Sequence, residues 1–329
     1  MTVAGAARDL LADPVDAVLE ASVAGSFSRL GYEVRSRLLP EFSDDGGERR
    51  LDGRTVLITG GTSGIGLAAA CALAGMGANV HLLARSAERA GRATRQIAAA
   101  ARGTAGFGVA DLDDLESVRS FAARFGDSHD RLDVLIHNAG AVHRSYQRTS
   151  GGLERTVAGQ VVAPFVLTSL LIGLLRRSAP ARVVTVSSGG MYTRPVDVAA
   201  LDARPDGYRG VAAYALAKRA QVALSAQWAA RTAGCGVAFH AMHPGWVRTP
   251  GIARSLPAFS RLMGPALRTP DQGADTIVWL ASADHALLGS GGFWHDRRRR
   301  PVYRFPGAKP AGGADRGLWD WVAAKAESR

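Results

Sequence analysis

The stretch Arg54–Gly77, RTVLITGGTSGIGLAAACALAGMG, constrains this chain more than any other. β-Branched residues at Thr55, Val56, Ile58 and Thr59 favour a pleated strand. The Ala- and Leu-rich run behind them favours a helix. Between the two lie four glycines in seven residues, Gly60, Gly61, Gly64 and Gly66. A turn this short and this unencumbered brings a helix N-terminus directly off the end of a strand. The unpaired N–H groups and positive dipole end of such a helix face whatever approaches the turn, which suits an anion.

The same alternation then repeats. Strand-like runs are NVHLLAR (79–85), AGFGVADL (105–112), RLDVLIHNAG (131–140), ARVVTVSS (181–188) and GVAFHAMHPG (236–245). Helical stretches of a dozen or so residues separate the early ones, including SAERAGRATRQIAAAA (86–101) and DLESVRSFAARFGD (114–127). Strands alternating with helices predict βαβ units and a parallel sheet covered on both faces, an α/β doubly wound fold of the Rossmann type. The pattern fills residues 52–305 as one domain. A helical arm and polar linker (1–51) precede it, and a tail with a short helix (306–329) follows.

Composition narrows the function. With 47% hydrophobic and 21% charged residues the chain is globular. A net charge of +11 invites a nucleic-acid reading, but the basic run DRRRRP (296–301) has no interleaved aromatics and reads as solvated surface, so no nucleic-acid partner is expected. The longest apolar run, Val161–Leu175, contains Pro164, Thr168 and Ser169 and is too short for a bilayer; it reads as a buried core helix, and no transmembrane segment is expected. The acidic, interrupted N-terminus does not resemble a signal peptide, so the expected location is cytoplasmic. Cys71 and Cys235 lack CxxC spacing and read as buried reduced thiols; His240 and His243 straddle a strand end, and no metal is expected.

The glycine spacing, G-xxx-G-x-G, and the absence of a following Lys-Ser/Thr argue for a dinucleotide rather than a nucleoside triphosphate. Gly60, Gly64 and Gly66 would let the backbone approach a pyrophosphate, with Thr62, Ser63 and Ile65 in the same loop. An acidic residue at the end of the second strand would select NAD through the ribose 2′-OH. Here that strand ends Leu83-Ala84-Arg85-Ser86. Arg85 can form a charge-assisted pair with a 2′-phosphate, so NADP(H) is the expected cofactor, with NAD(H) as the alternative. Ser63 could assist.

One lysine stands out. The chain has 37 arginines and only Lys218, Lys309 and Lys325. Lys218 lies four residues after Tyr214 in YALAK, on the same helix face. A phenol near pKa 10 is a poor proton donor and acceptor at neutral pH unless its phenolate is stabilised, and a nearby ammonium does that.

Taken in order, TGGTSGIG, NAG (Asn138–Gly140), the paired serines Ser187-Ser188, YALAK and HPGWVRTP (243–250) resemble the short-chain dehydrogenases/reductases. VVTVSSGGM and GGFWHDRRRRPV place the chain near the members related to retinol dehydrogenases. The resemblance implies an oxidoreductase that interconverts an alcohol and a ketone or aldehyde, with an apolar substrate and a homo-oligomeric habit. It implies Tyr214 as general acid/base, Lys218 as its pKa-tuning partner and ribose ligand, and Ser188 as donor to the substrate oxygen, with Ser187 the alternative. It further implies that Asp111 and Leu112 meet the adenine. Asn138, Ala139 and Gly140 would line the cofactor cleft, Asn138 also fitting a bracing role. Pro244, Gly245, Val247 and Thr249 would hold the nicotinamide, with Trp246 either substrate wall or packing. The insertion 189–213 is expected to form a wall or lid of the substrate pocket. Where the family pattern has an asparagine that helps hold a proton-relay water, this chain has Gln160. That departure leaves a second reading, a catalytically weak NADP(H)-binding sensor or scaffold.

Overall fold

The computed structural model describes residues 3–42, 50–304 and 315–327. Three helices come first: α1 (Val3–Ala21), α2 (Val23–Phe27) and α3 (Arg29–Leu38). The alternating region then runs β1 (Thr55–Thr59), α4 (Gly64–Gly75), β2 (Asn79–Ala84), α5 (Ala87–Ala98), β3 (Ala105–Val109), α6 (Leu115–Ser128) and β4 (Val134–His137). Next come α7 (Arg155–Val157), a π-helical turn (Ala158–Val162), α8 (Ala163–Arg177), β5 (Ala181–Val186), α9 (Val198–Leu201), α10 (Gly210–Arg231) and β6 (Val237–Met242). The chain closes through α11 (Pro250–Ser255), α12 (Pro257–Leu262), α13 (Pro270–Ser282), α14 (His285–Leu288), β7 (Gly292–His295), β8 (Arg298–Arg299) and α15 (Arg316–Glu327).

The strands form one sheet in the order β3-β2-β1-β4-β5-β6-β7-β8, parallel except for β8. The doubly wound parallel sheet expected from the alternation is therefore present, with two more strands than the sequence pattern announced. β1, β4, β5 and β6 are buried along their whole length, because helices cover both faces and leave no solvent side for a polar alternation. The period of two then sorts the core: Val56 and Ile58 point into the layer with α4, α5 and α13, while Leu57 points into the layer with α6, α8 and α10. Trp319 of α15 packs edge-on to Phe165 and Trp228, docking the tail helix on the second layer.

Two expectations about surface and span change. The run DRRRRP is not solvated surface. Asp296 and Arg297 form the two-residue turn between β7 and β8, both at positive φ (49° and 58°), as a tight type I′ hairpin requires. Arg297 pairs with Asp275, Arg298 with Glu41 and Asp13, and Arg300 with Asp16, so most of this charge is neutralised inside the molecule. The apolar segment is also longer than the run Val161–Leu175, because α7, the π turn and α8 are continuous over Arg155–Arg177, 23 residues. That is enough by length and composition to cross a membrane, but 72% of its most apolar window is buried inside the protein. Cys71 and Cys235 are half-buried free thiols.

Candidate active site

The strand order reverses between β1 and β4, which opens a crevice beyond their C-terminal ends. A cleft of about 370 Å³ occupies it. The glycine loop forms its floor. Gly60 turns at φ +68°, and a Cβ at Gly66 would lie 2.5 Å from the Gly60 carbonyl oxygen and 2.3 Å from Asn138 Nδ2. Only hydrogen fits there, so α4 begins against the turn itself. Ser63 caps α4 without a side-chain hydrogen bond, leaving its hydroxyl and the first-turn N–H groups facing the cleft. Asn138 Nδ2 donates to the carbonyls of Thr59 (3.1 Å) and Gly60 (3.0 Å), so its side chain braces the turn while its backbone lines the cleft with Ala139 and Gly140. Thr62, Gly64 and Ile65 line the cleft too.

At one end of the cleft stand Arg85, Asp111 and Leu112. Arg85 is half exposed and 3.8 Å from Asp113, whose closer partner is Arg155 at 2.6 Å. Arg89, in the first turn of α5, lies in the same wall and went unnoticed in the sequence. Asp113, His143 and Arg155 were also missed; the first two come from loops and Arg155 opens the short α7, none of them within a local motif.

The other end gathers Ser188, Tyr214, Lys218 and Gln160. β5 delivers Ser188 at its C-terminal edge, and one face of α10 carries both Tyr214 and Lys218. The two serines are distinct. Ser187 is buried and its hydroxyl donates to the Lys218 carbonyl at 2.8 Å, which ties β5 to α10. The Ser188 hydroxyl accepts from Gly190 N–H (3.3 Å) and lies within hydrogen-bonding reach of the Tyr214 phenol. Burial raises the Tyr214 pKa, while the bond from Ser188 pulls it the other way. Lys218 Nζ donates to the Val186 carbonyl at 2.9 Å and sits 5.5 Å from the Tyr214 ring centroid. Burial lowers the Lys218 pKa to about 7, so removal from water holds this ammonium near the point of losing its proton.

Gln160 occupies the π turn, a distortion that recurs at functional sites because it re-aims one side chain. Its Nε2 donates to the Ala141 carbonyl at 2.7 Å, and its own carbonyl accepts from Gln221 Nε2 at 2.6 Å. Its buried Oε1 finds no hydrogen-bond partner among the described residues. A Cβ built on Gly140 would stand 2.9 Å from that oxygen and 3.1 Å from Lys218 Nζ, so amide and ammonium flank the same small space.

Pro244, Gly245, Val247 and Thr249 reach the cleft along the segment after β6. The Thr249 hydroxyl caps α11 by accepting from Ile252 N–H at 3.2 Å, and its methyl abuts Gly64. Trp246 packs against Phe27 and Phe259 and does not line the cleft. The insertion 189–213 does not wall the cleft either. That wall is the segment 251–256, latched by Ser255 Oγ to the Val142 carbonyl (3.2 Å) and by Arg144 Nε to the Ser255 carbonyl (3.3 Å). His240 bonds Trp294 and His243 stacks on His295; among the described residues no group of His, Cys, Asp or Glu is arranged for a metal.

A phosphate-cradling turn at the switch point of a doubly wound sheet, opposite a phenol–ammonium pair, defines a dinucleotide-dependent oxidoreductase class. The family model for short chain dehydrogenases matches residues 54–257, and the chain belongs to that family. It is 38% identical to dehydrogenase/reductase SDR family member 12 of Bos taurus, over 84% of this chain and 86% of that one. It is 34% identical to retinol dehydrogenase 14 of Homo sapiens, over 82% and 85% of the two chains. Among solved structures it resembles the Pseudomonas aeruginosa RhlG/NADP active-site complex, with a TM-score of 0.61 and 26% identity, over 75% of this chain and 95% of that one.

Proposed function

We propose that the protein is an NADP(H)-dependent oxidoreductase that interconverts an alcohol and a ketone or aldehyde on a small apolar molecule. The observation that carries this is the cleft's polarity. Arg85 and Arg89 stand at one end with no carboxylate at the tip of β2, and Tyr214, Lys218 and Ser188 stand at the other.

The residues suit the cofactor: Gly60 and Gly66 have no room for a Cβ against Ala139 and Asn138, so the turn stays tight and α4 opens onto the cleft, where its N-terminus would face a pyrophosphate. Arg85 and Arg89 would hold a 2′-phosphate, and Lys218 the ribose next to the nicotinamide. When bound, NADP(H) supplies or accepts the hydride. The chain's own work is with the proton. In reduction the Tyr214 hydroxyl donates its proton to the substrate oxygen as negative charge builds there, while Ser188 donates a hydrogen bond to that oxygen. In oxidation the Tyr214 phenolate takes the proton back. The Lys218 ammonium favours that phenolate, and the unpartnered Oε1 of Gln160 can accept from a water or from Nζ.

The test is NADPH against NADH oxidation over a panel of ketones, aldehydes and quinones. Wild type should prefer NADPH. Arg85→Asp should shift the preference toward NADH, and Tyr214→Phe should lower turnover about 10²–10⁴-fold. Background rates across the panel despite tight NADPH binding would instead support the sensor reading.

A further inference from the structure

The N-terminal arm, α1–α3, reaches the active site from behind. α2 is five residues long, and its last carbonyls lack partners of their own. Arg268 meets them: Nη2 donates to Ser26 O (2.9 Å), and Nε donates to Phe27 O (3.1 Å) and Ser28 O (3.2 Å). Arg268 is completely buried and spends its remaining donors on Asp296, at 2.6 and 2.9 Å, and on the Pro244 carbonyl at 3.3 Å. Arg35 of α3, also buried, bonds the same Asp296 (2.9 Å), Ser26 O (3.0 Å), Asp16 (2.7 Å) and Glu20 (2.7 Å). Arm, β7–β8 turn and cofactor segment thus share one buried ionic junction.

Phe27 also touches the site's own backbone directly. Phe27 O accepts from Trp246 N–H at 2.8 Å, and the Arg268 backbone pairs with Trp246 (2.7 Å) and Arg248 (2.9 Å) on either side of Val247. Gly245 turns at φ +74°, and a Cβ there would stand 2.7 Å from Phe27 O and 2.5 Å from Arg268 Nε. On the other flank, a Cβ on Gly189, the neighbour of Ser188, would fall 2.3 Å from the Phe27 ring. The ring itself is buried against Tyr192, His243 and His295.

We propose, on the oxidoreductase reading above, that Ser26–Ser28 form a positioning element of the active site. They clamp segment 244–248 and the Ser188–Gly189 turn together, so the nicotinamide half of the cofactor is held only while the arm is docked. The adenosine half, bound at β2 and the glycine turn, does not depend on the arm.

The test uses the full chain with Phe27→Ala and with Arg35→Gln, and with Val18→Ser on the exposed face of α1 as the control (Val18 is 72% exposed). Amide exchange in cofactor-free protein, and the affinities for NADPH and adenosine 2′,5′-bisphosphate, are measured side by side. Exchange at 244–248 and 188–190 should rise about tenfold or more in both variants. NADPH affinity should fall about tenfold while adenosine bisphosphate affinity stays within about twofold. Val18→Ser should match wild type. Should Arg35→Gln fail to fold, Phe27→Leu, which keeps most of the apolar volume, carries the same readouts. Unchanged exchange and NADPH affinity in folded variants overturn the proposal, as does an equal loss for NADPH and the adenosine probe. If wild type binds no nicotinamide nucleotide, the oxidoreductase reading fails and takes the cofactor part of the proposal with it; the exchange data still decide whether the arm holds the segment.

Discussion

Gln160→Leu separates a catalytic amide from a structural one. The substitution keeps a branched side chain of similar bulk, one atom shorter and without the amide, and leaves the π turn's own bond intact, since Gln221 Nε2 donates to the backbone carbonyl of residue 160. It removes the 2.7 Å bond to the Ala141 carbonyl, and orphaning that acceptor costs about 1–3 kcal/mol. It also removes Oε1, a buried oxygen with no partner among the described residues, whose desolvation carries a cost of the same size. The two nearly cancel, so stability should change by no more than about 1 kcal/mol, a shift of a few degrees in melting temperature. Turnover has no such compensation. If Oε1 serves the proton path beside Lys218, its loss should lower kcat by about 10–100-fold with little change in NADPH affinity. Stopped-flow NADPH oxidation and thermal unfolding read the two quantities separately, and Gln160→Asn, which keeps an amide one methylene shorter, should retain an intermediate rate. Wild-type kcat in Gln160→Leu would refute the reasoning. So would a loss of several kcal/mol with normal turnover, which would make the residue a structural brace.

Ser188→Ala should cost about 10²-fold or more in kcat, whereas Ser187→Ala, which loses only the tie to the Lys218 carbonyl, should cost about 1 kcal/mol of stability and little activity; steady-state kinetics and urea unfolding distinguish them. Gly66→Ala places a methyl into the Gly60 carbonyl and the Asn138 amide and should abolish NADPH binding in a fluorescence titration; binding within threefold of wild type would contradict the tight-turn argument. Acid should undock the arm. The arginines around Asp16 hold its pKa down at about 2, and those around Glu20 and Asp296 lower theirs as well. Depressed carboxylates stabilise the fold above their unfolded pKa near 4 and lose that contribution as pH falls through the folded value, with Asp16 alone contributing about 2 kcal/mol. Melting temperature should therefore drop steeply from pH 4 toward pH 2, with a shallower slope in Asp16→Asn; a flat profile would contradict it.

What could be read in advance follows from whether a residue's role is local. The glycine turn, the Tyr214–Lys218 spacing and the alternation of β1 to β6 are each decided within a few residues, so the sequence displays them. Gln160 was legible as a departure, but the π turn that aims it depends on packing against α10 and is invisible in the pattern. Arg297 and Arg300 misled because a run of like charges reads as solvated surface unless the acids that neutralise it can be seen. Those acids lie far away in sequence, at Asp275 in α13 and at Asp16 in the arm. The same blindness hid β7 and β8, whose hairpin turn uses Asp296 and Arg297 where a sequence signal would have needed glycine or asparagine. An aspartate at positive φ, completely buried between Arg268 and Arg35, is tolerable only because both guanidiniums are present, and Arg35 comes from the arm. The positively charged bias of this chain thus has a structural component. Its arginines serve as buried multi-donor junctions, a task the single-point ammonium of lysine does not perform. Lys218, by contrast, is a compact cation beside the Tyr214 phenol, where the proposed cofactor's ribose would lie.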